Sequence, residues 1–320
     1  MCILKATNLT ITFLEGLKTG KKILIIIAGP TAVGKTSCAM AVAIKYHCDI
    51  ISADSRQIYR EMTIGTAKPS LSELALVKHH FVDFLPPDAH YNAGKFEKEV
   101  TDFLEDYFCH HDVCVMTGGT GLYINAVIDG LDHFPEVPWE IQEKVKIMWK
   151  EQGITFLQEQ LKSFDPEYYC KVDLQNPHRL IRAISVSLST GQAYSSFLNK
   201  AKKTLPFEPV FILLQRDRHE LYQRIDQRVD QMIDHGLVNE VRALQAFRHC
   251  QSMQTVGYRE LSDHFEVLVT LESAIDKIKQ NSRRYAKRQL TWFNNDGRYT
   301  HFHPDHFKEI TDWIDKKLQT

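Results

Sequence analysis

The stretch Ile23-Leu-Ile-Ile-Ile-Ala28-Gly29-Pro-Thr-Ala-Val-Gly34-Lys35-Thr36 decides the fold. Its first six residues are an apolar, largely β-branched run closed by Gly29-Pro30, which reads as a strand buried on both faces of a parallel sheet. The next eight fit G-x-x-x-x-G-K-[ST], and a helical stretch over 36–46 stands directly behind them. The glycines let successive N–H groups turn toward one point, the helix adds its positive N-terminus, Lys35 supplies a point charge, and the Thr36 hydroxyl can hold Mg²⁺. Gly29, Pro30, Thr31, Ala32, Val33, Gly34, Lys35 and Thr36 are therefore candidate diphosphate- or nucleotide-binding residues.

Outward from this loop, short apolar runs at 49–52, 113–116 and 210–214 read as further strands, with a helix over 93–108, which gives the βα alternation of an α/β fold. Residues 131–203 read as helices alone. They open on the turn Phe134-Pro-Glu-Val-Pro138 and contain the start signal Asn176-Pro177, then a run closed by Gly191. The expected organisation is a P-loop NTPase-like parallel-sheet core over 21–130 and 204–320, with a helical C-terminal part, into which a helical domain at 131–203 is inserted. Residues 1–20 read as an extension outside the fold.

The chain has 320 residues, enough to bury about three quarters of its unfolded surface. With 43% apolar and 25% charged residues, 15 Gly and 11 Pro, collagen-like and low-complexity classes are excluded. Seven scattered cysteines without a C-x-x-C pair suit a reducing cytoplasm, and no segment approaches the length of a membrane span. The net charge of −1 carries no basic excess, so a nucleic-acid partner requires local segregation of charge. One segment has it. From Lys277 to Arg288 six basic residues occur without an acid, and Lys277, Lys279, Arg283, Arg284, Lys287 and Arg288 fall on one half of a helix. Ile275, Ile278, Tyr285, Ala286, Trp292 and Phe293 fall on the other half, expected to be buried.

The third strand ends Thr117-Gly-Gly-Thr120 without a carboxylate for a metal shell, and the nearest acid at a strand end is Asp54. Ligands of open α/β sheets bind beyond the carboxyl ends of the strands, so Asp54 is expected to face the crevice of the phosphate loop. There it could hold metal or take a proton; Asp54-Ser55 is equally good helix-capping chemistry.

The segments Gly29 to Thr36, Ala53-Asp-Ser-Arg-Gln57, Ile64-Gly-Thr-Ala-Lys-Pro69 and Gly118-Gly-Thr-Gly-Leu-Tyr123 stand in this order. They are followed by Asn176-Pro-His-Arg-Leu-Ile-Arg182, Val256-Gly-Tyr-Arg259 and Tyr285-Ala-Lys-Arg-Gln-Leu-Thr-Trp292, and together they resemble the tRNA dimethylallyltransferases from about Lys22 to Phe293. The resemblance implies transfer of a dimethylallyl group from dimethylallyl diphosphate to N6 of the adenosine 3′ of a tRNA anticodon, with Mg²⁺ as cofactor. The expected partners are the tRNA anticodon loop and dimethylallyl diphosphate, with no obligate protein partner, a monomer, and, from the shortness of the apolar runs, no membrane. Asp54 would be the base, Lys35, Thr36, Thr120 and Arg218 would complete the catalytic set, and Thr36 would reach Mg²⁺. The alternative for Arg218 is an exposed residue opening a helix. The tRNA would touch Asp54, Ser55, Arg56, Gln57 and Thr120, then His178, Arg179, Leu180, Ile181 and Arg182, and further Arg259, Arg283 and Arg284. His178 stands where the family usually has Gln. The competing readings are a P-loop small-molecule kinase, a prenyltransferase acting on AMP or ADP, and an RNA-binding ATPase.

Overall fold

The computed structural model describes residues 20–198 and 203–319, so the extension expected over 1–20 lies, but for Gly20, outside the described residues. In chain order these form β1 (Ile23–Ala28), α1 (Lys35–Tyr46), β2 (Ile50–Ser52), α2 (Leu71–Leu76), β3 (His79–His80), α3 (Ala93–His110), β4 (Val113–Gly118) and α4 (Gly121–Asp129). Helices α5 (Trp139–Phe164), α6 (Pro166–Tyr169) and α7 (Pro177–Thr190) follow. The chain closes with β5 (Glu208–Leu214), α8 (Arg218–Asp234), α9 (Leu237–Ala243), α10 (Tyr258–Phe265), α11 (Leu271–Asn294), β6 (Thr300–Phe302) and α12 (Phe307–Gln319).

All strand pairs are parallel, in the order β3-β2-β4-β1-β5-β6. The alternation along β1 sorts its side chains between two cores. Ile23, Ile25 and Ile27 meet Ala39, Val42 and Ala43 of α1 and Ile310 and Ile314 of α12, whereas Leu24, Ile26 and Ala28 meet Phe96, Val100 and Leu104 of α3 and Ile124 and Val127 of α4. A strand covered by helices on both faces has no polar side to present, hence its unbroken apolar run. Two strands escape the sequence reading, β3 and β6. Each is an edge strand of two or three residues, too short to show a period, and β6 interrupts a tail that reads as almost wholly helical.

A third apolar cluster ties Ile58, Tyr59 and Met62 after β2 to Val229 of α8, Leu237 and Val241 of α9, Tyr258 and Leu261 of α10 and Ile278 of α11. This cluster positions α8 and α11 beside the phosphate loop. Within it Glu240 accepts the backbone N–H groups of Thr63 (3.0 Å), Ile64 (2.8 Å) and Gly65 (3.1 Å) and the Tyr258 hydroxyl (2.6 Å). Gly65 lies so close to the Tyr258 ring that a β-carbon there would collide with it. The Ile64-to-Pro69 and Val256-to-Arg259 segments are thus two sides of one contact.

Residues Asp129–Lys203 form a compact unit of their own, and the described residues on either side of them form the other. In the smaller unit α5 is broken at Gly153 (φ +77°), and Val145, Leu157 and Leu161 pack against Leu180, Ile181, Ala183 and Ile184 of α7. Asn176 caps α7 by accepting the Arg179 N–H (3.3 Å), Pro177 takes the first helical position, and Gly191 ends the helix at φ +69°. Leu180 and Ile181, expected among the tRNA contacts, are core residues with 0% and 7% exposure; they form the apolar face of an amphipathic helix. His178, Arg179 and Arg182 are exposed on its other side.

Candidate active site

The phosphate loop runs from β1 into α1, which begins at Lys35 after Gly34 adopts a left-handed conformation (φ +112°). Four consecutive residues of the loop are each held by one side chain. The Lys35 ammonium donates to Pro30 O (2.7 Å), the Thr31 N–H donates to Gln289 Oε1 (2.9 Å), Arg224 Nε donates to Ala32 O (3.0 Å), and Arg216 Nε donates to Val33 O (2.9 Å). Arg216 is itself clamped by Glu220 and by Asp305, each 2.5 Å away. With carbonyls drawn to cations, the orphan N–H groups at the start of α1 remain available to an anion.

A cavity of about 750 Å³ opens over this loop. It is lined by Thr31, Ala32, Gly34, Lys35 and Thr36, by Asp54 to Gln57, by Gly65 to Ala67, and by residues of α8, α10 and α11. Its basic side chains are Lys35, Arg56, Arg224, Arg228, Arg259, Arg284 and Arg288, against Asp54 as the one acid among the described lining residues. The Lys35 ammonium is pushed down to about 7, first by desolvation and then by the charge of Arg228, with Asp54 pulling the other way. Desolvation also holds the Arg228 guanidinium below its ordinary value. Cations crowded and dehydrated in this way are destabilised until an anion joins them.

Asp54 and the phosphate loop face one cavity. Asp54 Oδ1 accepts the Arg56 N–H (2.8 Å), so local capping engages one oxygen, and among the described residues Oδ2 accepts no hydrogen bond. The Tyr285 phenol is pushed up to about 12, chiefly by desolvation and next by the charge of Asp54. Thr120 does not line the cavity. Its hydroxyl accepts the Ser55 N–H (3.2 Å), lies 3.4 Å from Ser55 Oγ and hydrogen-bonds the Tyr285 phenol of the cavity wall. Gln57 reaches the wall with its amide already committed: Oε1 accepts from the Ser52 hydroxyl (2.9 Å), and Nε2 donates to Thr66 O (3.3 Å) and Ala67 O (3.0 Å).

Arg218 requires correction. It is exposed, lies over the Tyr222 ring at 5.2 Å, and lines no part of the cavity. It opens α8, about 15 Å along the axis from Arg228, and the cavity takes Arg224 and Arg228 instead. Their i, i+4 spacing was the available signal. The basic face of α11 also divides. Arg283 pairs with Asp226, and Lys279 with Asp230 at 2.6 Å, both acids contributed by α8. The reversed order of the two pairs shows the helices running antiparallel. Arg284 and Arg288 turn into the cavity, and Tyr285 and Trp292, expected to be buried, are 37% and 40% exposed. The core under this part of α11 is narrow and is filled by Ala286, Gln289 and Phe293. Arg259 lines the cavity and donates to the buried Glu260 (3.0 Å).

A family model described as IPP transferase matches residues 57–296. The tRNA dimethylallyltransferases of Christiangramia forsetii and Flavobacterium psychrophilum are 47% and 46% identical, each over 93% of this chain and over 99% and 95% of their own lengths. Among solved structures, the full-length tRNA isopentenylpyrophosphate transferase of Bacillus halodurans aligns with a TM-score of 0.70 at 36% identity, covering 93% of this chain and 97% of its own. A eukaryotic dimethylallyltransferase acting on tRNA aligns with a TM-score of 0.73 at 26% identity, covering 89% and 74%.

Proposed function

The chain belongs to the IPP transferase family, the tRNA dimethylallyltransferases, and from that premise we propose that it joins the dimethylallyl group of dimethylallyl diphosphate to N6 of the adenosine 3′ of a tRNA anticodon. The observation that carries the assignment of the cavity is the desolvated pair Lys35 and Arg228 facing Asp54 across one space. The phosphate-loop N–H groups, Lys35 and Arg228 hold the diphosphate. The C1–O bond of the donor breaks, the N6–C1 bond forms, diphosphate leaves with the electron pair, and an N6 proton passes to Asp54. An adenine amine is weakly basic, so proton removal as the bond forms lowers the barrier. Holding donor and amine in line supplies the rest.

Thr36 offers a hard oxygen donor beside the cradle while Asp54 is kept for the proton, and among the described residues no group of three His, Cys, Asp or Glu side chains could hold an ion by itself. That donor set fits Mg²⁺, which beside phosphates is held by few protein oxygens, with phosphate and water oxygens completing its shell. Bound there, the ion would neutralise charge on the departing diphosphate. For the RNA, Arg56, Arg259, Arg284 and Arg288 at the cavity and His178, Arg179 and Arg182 on α7 are the contacts. The target base must leave its stack to reach the cavity. No helix among the described residues is long and apolar enough to cross a membrane, and the described cysteines are free thiols.

The test is incubation with labelled dimethylallyl diphosphate and either tRNA or AMP. Label is expected on tRNA at the adenosine 3′ of the anticodon. Label on AMP alone, or phosphate transfer from ATP, would replace this reading with an adenylate prenyltransferase or a kinase. Asp54→Asn is expected to retain diphosphate affinity while single-turnover transfer slows by about two orders of magnitude or more; an unchanged rate removes Asp54 from the role of base.

A further inference from the structure

Gln289 is 6% exposed in α11 and lines the cavity beside Arg288, one turn before the buried Phe293. Both ends of its amide are used. Oε1 accepts the Thr31 N–H of the phosphate loop (2.9 Å), and Nε2 donates to Gly119 O in the turn after β4 (2.9 Å). A β-carbon on Gly119 would collide with Nε2, so this turn approaches the amide as closely as glycine allows. The next residue, Thr120, accepts the Ser55 N–H beside Asp54. One buried amide therefore connects the loop that faces the leaving group to the turn that supports the base.

We infer that Gln289 is a positioning residue which fixes the distance between the diphosphate cradle and Asp54, and that it acts on the transfer step rather than on the binding of either substrate. The inference rests on the function proposed above. A hydrogen bond at each end is needed for this role: a side chain that only filled the space would keep α11 packed while leaving the Thr31 N–H and the Gly119 carbonyl without their shared partner. Buried amides of this kind are costly to leave half satisfied, which is why both ends respond to one substitution. A misplacement on the scale of 1 Å at a reacting pair costs about 100-fold in rate.

Gln289→Met keeps length and removes both hydrogen bonds. Affinities for the unreactive donor dimethylallyl S-thiolodiphosphate and for tRNA, measured separately, are expected to stay within about threefold of wild type, while the single-turnover rate at saturation falls about 10- to 100-fold. Gly119→Ala, which displaces the amide from the other side, is expected to reproduce this split and keeps the question open to test should Gln289→Met fail to fold. The double variant Gly119→Ala/Gln289→Ala is expected to be no slower than Gln289→Ala, because both changes break one connection. A wild-type transfer rate in Gln289→Met, a rate loss matched by an equal loss of donor affinity, or multiplying losses in the double variant would overturn the inference. Failure of the wild-type protein to prenylate tRNA would instead overturn the parent reading.

Discussion

Lys35 gives the sharpest quantitative expectation. Its ammonium is pushed to about 7 by desolvation and the charge of Arg228, far below the ordinary lysine value of about 10.4. A diphosphate placed against it restores the charged form, so binding above pH 7 must draw in a proton. At pH 8 a group titrating at about 7 is about 90% neutral, and at pH 6 about 10% neutral, so Lys35 should take up about 0.9 and about 0.1 proton per pyrophosphate bound. Pyrophosphate titrates as well, and the Lys35→Met variant subtracts that contribution. Calorimetry in two buffers of different ionisation enthalpy measures the uptake directly. The wild-type-minus-variant difference should be about 0.9 at pH 8 and should nearly vanish at pH 6. Equal uptake by wild type and variant at pH 8 would refute the account of a dehydrated, cation-crowded cradle. The same shift has a stability consequence. The folded-state value is lowered, so the unfolded chain binds more protons between about pH 7 and 10.4. The destabilisation caused by charged Lys35 is full below pH 7 and is lost as pH rises through that window. Lys35→Met should accordingly exceed wild type in thermal midpoint at pH 6.5, with the gap closing toward pH 10.

Three further outcomes follow from the geometry. Arg284→Gln and Arg288→Gln should each lower the slope of log K for tRNA against log salt by about 0.7 to 0.9, whereas Arg283→Gln, paired with Asp226, should leave it unchanged; equal effects in filter binding would deny the division of the basic face. Leu180→Ala should destabilise the 129–203 unit by about 2–5 kcal/mol in urea unfolding, since Leu180 is fully buried; a loss of tRNA affinity without loss of stability would return Leu180 to the RNA surface. Gly65→Ala, forced against the Tyr258 ring, should cost about 1–3 kcal/mol, and Tyr258→Phe should not relieve it because the ring, rather than the hydroxyl, is struck.

Local chemistry made the phosphate loop legible in the sequence: a buried strand, two glycines, Lys35-Thr36 and a helix are consecutive, so no distant residue was needed to recognise them. Asp54 was placed for a similar reason, since strand order alone sends the ends of parallel strands toward one edge. Arg218, Arg283, Tyr285 and Trp292 were misplaced because their surroundings are set by other segments. Whether a lysine or arginine of α11 is free depends on Asp226 and Asp230, some fifty positions earlier. Gln289 carried no signal by itself, for a glutamine in a basic helix reads as surface until Thr31 and Gly119 arrive beside it. The edge strands β3 and β6 are defined by their neighbours' hydrogen bonds rather than by any pattern of their own.

The ties on Thr31, Ala32 and Val33 reach the phosphate loop from 258, 192 and 183 positions away. The motif is complete within the first 36 residues, yet its working shape depends on nearly the whole polypeptide. A nascent chain that has left the ribosome only as far as β5 possesses the motif without Arg216, Arg224 or Gln289 to hold its backbone. Contacts at such separations carry the loop-closure entropy of the long segments between their partners. The loop most easily recognised in the sequence thus owes its backbone geometry to side chains from the last third of the chain.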